Sequence, residues 1–188
     1  MTLLILGLII FIGVHSVRIV APGWRNARQA SMGENPWKGM YSVLSIIGFV
    51  LMIYGYGQAR DVSETVYDTP SWAGGMANIV VPIALILLAA SQLPRGYIKA
   101  AVGHPMLWAV LLWSAAHLLA NGDTASVLLF GVMLIWSVAN LASCYSRPAG
   151  DLPAPKLWTD LASVVIGIVV TGALIMGLHV WLFGVVPA

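Results

Sequence analysis

The chain is organised by long apolar runs separated by short polar breaks. Six runs stand out, roughly Thr2 to Val20, Lys38 to Gly57, Met76 to Gln92, Pro105 to Ala120, Thr124 to Ser143 and Thr159 to Phe183. Several approach or exceed the ~20 residues that a helix needs to cross a ~30 Å hydrocarbon layer. None alternates apolar and polar positions over ~10-residue stretches, as the strands of a membrane barrel do. The pattern therefore predicts an all-α integral membrane bundle of about six transmembrane helices. The longest breaks, near Pro22 to Trp37 and Gln58 to Gly75, are punctuated by Pro and Gly and read as connections. No hydrophilic stretch is long enough for a second domain, so residues 1–188 read as a single membrane domain. Met1 to Leu6 carries no basic residue, and basic residues follow the first run instead of preceding it, so that run reads as a retained helix and not as a cleaved signal.

Composition agrees with the pattern. Hydrophobic residues make up 60% of the 188 and charged ones 9%, too few to coat a soluble globule. The charges orient the bundle: Arg18, Arg25, Arg28, Lys38, Arg95, Lys99, Arg147 and Lys156 fall on one side of the predicted spans and Arg60 alone on the other. The positive-inside rule then places both termini outside, which in a bacterium means a multi-pass inner-membrane protein with periplasmic ends. The net charge of +2 is spread over three membrane-edge connections, with no concentrated footprint for nucleic acid. Trp37, Trp72, Trp158 and Trp181 sit near span ends, where indoles favour the lipid interface, whereas Trp108 and Trp113 lie deeper.

Chemistry enters with the histidines. An imidazole inside the hydrocarbon layer is costly unless something uses it, and His15, His117 and His179 all fall within apolar runs. Ser114, His117 and Asn121 are spaced by three and four residues and form one polar stripe, with Trp113 one turn from His117 on nearly the same face. Such a stripe faces protein or a ligand; it serves either a cofactor or an interhelical hydrogen-bond seam. Phe11, His15 and Arg18 repeat the spacing on the first helix. A neutral imidazole offers iron a nitrogen ligand, and Arg18, one turn nearer the basic side, either pairs with a haem propionate or anchors the helix to lipid phosphate. The single cysteine, Cys144, forms no internal disulfide, and there is no Cys-x-x-Cys-His segment, so a haem here is held non-covalently.

His104, in Gly103-His104-Pro105, begins the fourth run at the membrane edge, where it caps the helix or meets a lipid headgroup. It lies thirteen residues, or roughly 20 Å of helical rise, from His117, so the two do not clamp one iron from the same helix. Depth in the membrane gives further alternatives. His15 falls toward the inner end of its helix and His117 toward the outer end of its own, with a separation on the order of 10 Å along the membrane normal. Depth alone favours His15 with His104, or His117 with His179.

The His15-Ser16 segment, the Gly103-His104-Pro105 start and the Trp113 to Asn121 segment resemble the NnrU family of small bacterial membrane proteins, over nearly the whole chain. More distantly, the chain is similar to the plant 15-cis-zeta-carotene isomerase, a haem b membrane enzyme. The resemblance implies His15 and His117 as axial ligands of haem b and a role in nitrite and nitric-oxide metabolism; joined to the spacing above, it reads as a haem site with Ser114, Asn121, Arg18 and Trp113 around the imidazoles, serving electron transfer or gas sensing. The isomerase pattern has cysteine where Ser114 stands, so an exchange of histidine for thiolate is not expected here. Two other readings remain open: a haem-dependent cis/trans isomerase acting on a hydrophobic polyene, and a non-catalytic assembly factor for nitrite or nitric-oxide reductase components. Membrane lipid is a partner in every case.

Overall fold

The computed structural model describes residues 1–147 and 152–187. Every predicted run is helical, and the described residues form no strand, only an isolated bridge between Thr65 and Asp123. The chain divides into two compact units, Met1–Glu64 and Thr65–Ala188.

The first unit is a helical hairpin with a short linking helix. Helix α1 (Thr2–Val20) and helix α3 (Glu34–Arg60) flank α2 (Pro22–Met32). The Pro22 to Trp37 stretch, expected as a connection, is therefore mostly helical. Its Pro and Gly mark boundaries instead of breaking structure: Pro22 occupies the first turn of α2, where a missing N–H costs nothing, and Gly33 ends it at φ +86°. Along α1 and α3 the contact is made backbone to backbone at glycines. A methyl group placed on Gly7 would lie 2.5 Å from Met52 N, one on Gly48 would lie 2.8 Å from Phe11 N, and one on Gly55 would overlap the backbone of Leu4. Lipid gives apolar side chains no reason to leave it, so small residues that let backbones approach drive such packing. The outward faces remain apolar, with Ile9 and Ile46 exposed.

The second unit contains α4 (Ala73–Gln92), α5 (Tyr97–Val102), α6 (Pro105–Ala120), α7 (Thr124–Tyr145), α8 (Leu157–Ala173), a π turn (Leu174–Leu178) and α9 (His179–Phe183). Helix α4 packs against both α6 and α8, and α6 packs against α7. Ala84, Leu87 and Ala109 form a core where α4 meets α6, with Trp108, Leu112 and Trp113 around it. Gly167 brings α8 against the α4 backbone at Ile86. The final run, expected as one helix to Phe183, is interrupted: Gly177 adopts φ +133°, a conformation that only glycine accepts readily. Among the described residues, five helices are long and apolar enough to cross a membrane, and the protein is a multi-pass membrane protein. Helix α6 is shorter: its 16 residues span roughly 24 Å, because Pro105 fixes its start and the Asn121-Gly122-Asp123 turn its end.

Asp160, which carries no motif in the sequence, ties two elements together. Its buried carboxylate accepts hydrogen bonds from Tyr97 N (2.7 Å) and Ile98 N (3.0 Å), the otherwise unsatisfied first amides of α5, while sitting in the first turn of α8. Loss of a side-chain cap costs about 1–2 kcal/mol. Asp160→Ala is expected to lower stability to denaturant in detergent by about that amount; stability equal to wild type would refute the capping role.

Candidate functional site

The local geometry repeats itself at His15 and His117. In the first unit, the backbone carbonyl of Phe11 accepts a hydrogen bond from His15 Nδ1 at 2.7 Å. A carbonyl only accepts, so the proton resides on Nδ1 and the lone pair on Nε2. Phe11 stacks on the imidazole at 4.1 Å between ring centroids, and Tyr41 of α3 meets it edge-on at 5.2 Å. In the second unit, His117 Nδ1 donates to the carbonyl of Trp113 at 2.9 Å, which selects the same tautomer. Trp113 and Phe130 lie 5.2 Å and 4.8 Å from the His117 ring and 5.1 Å from each other, closing an aromatic triangle.

The stripe predicted on α6 forms, but its members do different work. Asn121 Nδ2 donates to the His117 carbonyl at 2.9 Å and so steadies the helix end that carries the imidazole. Ser114 is fully buried and turns its hydroxyl onto its own helix, donating to Val110 O at 2.7 Å and Leu111 O at 3.1 Å. The helix end is held from outside as well. Val66 N donates to Gly122 O at 2.7 Å and the Tyr67 hydroxyl to Asn121 O at 3.1 Å. Burial, and secondarily the Asp123 carboxylate, hold the Tyr67 phenol above its ordinary value, so it stays a donor throughout the neutral range. Asp123 in turn caps α7 by accepting from Ser126 N at 3.0 Å.

Arg18 is exposed in the last turn of α1. Neither Tyr41 nor Phe130 was singled out from sequence, although antiparallel register points to both. Leu4 with Gly55, Gly7 with Met52 and Phe11 with Gly48 advance in step along α1 and α3, and the next turn brings His15 to the Tyr41 region. Folding α6 on α7 about Asp123 sets His117 opposite Phe130 in the same way.

The remaining histidines separate. His104 forms the N-terminal boundary of α6 through its backbone carbonyl, which accepts from Leu107 N and Trp108 N, and no side-chain cap forms. Its ring instead meets Tyr145 edge-on at 5.2 Å, and the Tyr145 hydroxyl accepts from Trp108 Nε1 and donates to Val102 O. His179 Nδ1 donates to Val185 O at 2.7 Å, and its ring meets Phe183 edge-on at 5.0 Å.

Among the described residues, no three His, Cys, Asp or Glu side chains gather as a site for a bare metal ion. Haem asks less of the protein, because the macrocycle supplies the equatorial ligands and one or two side chains the axial ones. Imidazoles locked in the Nδ1–H tautomer with aromatic walls fit that demand. The structure thus defines an all-α, multi-pass membrane protein with an aromatic-walled imidazole in each unit. Residues 3–187 match the NnrU protein family, and the chain belongs to that family. No curated protein and no solved structure matches it.

Proposed function

We propose that this NnrU-family protein is a bacterial inner-membrane haem b protein serving nitrite and nitric-oxide metabolism, by electron transfer or gas sensing, with His15 and His117 as the imidazoles that ligate iron. The observation that carries the reading is the matched pair of Nδ1–H locks, on Phe11 O and Trp113 O, which commits Nε2 of each ring to the lone pair a metal takes. Phe11 and Tyr41 wall one imidazole, and Trp113 and Phe130 the other, excluding water from a flat apolar ligand. Asn121 and Ser114 act on the α6 backbone behind His117, and Arg18 supplies a guanidinium for a propionate. Bound haem would supply one-electron chemistry or a binding site for a diatomic gas.

Paired absorption spectra of the detergent-purified protein, oxidised and dithionite-reduced, together with iron analysis, test the reading. A haem b spectrum and loss of nitrite or nitric-oxide turnover on deletion in a denitrifying host are expected. Haem-free protein from haem-replete cells, or normal turnover after deletion, would overturn it. Depth along the membrane normal favours one second reading, in which His179 replaces His15 as ligand, and His179→Ala decides between them.

The same proposal places both termini in the periplasm. Cysteine reporters near Asp68 and Asn121 are expected to react from outside the inner membrane, and reporters near Arg28, Lys99 and Lys156 only after permeabilisation. The reverse pattern would overturn this orientation.

A further inference from the structure

Helix α2 joins two membrane-length helices, α1 and α3, so the chain must run along the membrane boundary between them. Its composition suits that position. Residues Pro22–Met32 bury no side chain and include no acidic residue. Trp24, Arg28 and Met32 recur every four residues, and Arg25 lies three before Arg28, so all four share one face of the helix. Trp24 and Met32 expose apolar surface there, and Trp24 also meets Trp37 of α3 at 6.1 Å, which fixes α2 against its own hairpin. The Arg28 guanidinium rests over the Trp24 ring at 5.8 Å, holding a cation beside an indole. Lys38 is neutralised by Glu34 at 2.6 Å, whereas Arg18, Arg25 and Arg28 have no carboxylate partner among the described residues.

A face that alternates indole, thioether and guanidinium is built for the zone where acyl chains give way to phosphate. We propose that α2 is an interfacial helix whose Arg25 and Arg28, with Trp24 and Met32 seated among the upper acyl chains, bind the headgroups of anionic phospholipids. The occupant follows from charge complementarity and from the connection to two spans. It does not depend on the haem reading.

The test uses the full-length protein and phosphatidylglycerol or phosphatidylcholine at matched concentration in detergent, with bound lipids counted by native mass spectrometry. Preferential retention of phosphatidylglycerol is expected. Each basic residue near an anionic surface contributes about fivefold in affinity, so R25Q/R28Q is expected to weaken the preference by roughly 25-fold, with R25K/R28K retaining most of it. Raising salt is expected to erase the preference in the wild type, so the idea stays testable if the glutamine variant fails to fold. Equal retention of the two lipids by the wild type, or an unchanged preference in R25Q/R28Q, would overturn the proposal. Displacement of phosphatidylglycerol by inorganic phosphate at the same concentration would also overturn it, since the site would then recognise free phosphate and not a lipid.

Discussion

His117→Ala is expected to lower haem occupancy of the purified protein at least about tenfold, because loss of even an outer partner costs a metal site 10–100-fold and this change removes a ligand. The fold has little reason to collapse. Alanine is the better helix former, and the α6 backbone keeps the Ser114, Asn121 and Tyr67 hydrogen bonds that anchor it, since these end on carbonyls that the substitution leaves in place. Membrane insertion and helical content should therefore match wild type, and added imidazole should partly restore the spectrum. His15→Ala is expected to shift the spectrum or reduce occupancy in the same way. His104→Ala should leave iron ligation intact, because its ring is engaged with Tyr145. The assignment fails if both His15→Ala and His117→Ala retain the wild-type spectrum and iron content. A loss confined to His117→Ala and His179→Ala would move the second ligand to α9.

The elements were readable in sequence where hydrophobicity alone decides them. All six apolar runs are helices, and Pro105 opens α6 as its fixed φ and missing N–H allow, while the chain leaves the helix at an extended Asn121. Helices α2 and α5 were less visible, because α2 is polar and has no apolar run to announce it, and α5 is only six residues long. The π turn at Leu174–Leu178 depends on one glycine conformation inside an otherwise uninterrupted apolar stretch. The same division holds at the sites. His15, His117 and Asn121 are legible because an imidazole or amide stands out against an apolar background, and Trp113 because it lies one turn from His117 on nearly the same face. Phe130 and Tyr41 did not stand out, since an aromatic residue in a membrane helix is ordinary until the register of the neighbouring helix is known. Ser114 was visible but its direction was not: in an apolar setting its hydroxyl finds a partner most cheaply on the preceding turn of its own helix.

Gly55→Ala and Gly57→Ala are expected to change stability in opposite directions, although they add the same methyl group two residues apart on α3. A Cβ at Gly57 meets nothing within 4 Å, so alanine there gains helix propensity, up to about 1 kcal/mol. At Gly55 the same atom overlaps Leu4 N and lies 2.6 Å from the Leu3 carbonyl carbon, and both of these are backbone. No side-chain rotation relieves that contact, so α1 and α3 must move apart, an overpacking cost of about 1–3 kcal/mol. Denaturant titration followed by circular dichroism in detergent reads both values. The register that seats Gly55 on Leu4 also seats Gly48 on Phe11, whose ring stacks on His15, so the separation should loosen that imidazole as well. Faster hydrogen exchange in α1 of Gly55→Ala, with none in Gly57→Ala, would report the loosening. Equal stability of the two variants would mean that the glycine contact is not what holds the hairpin together.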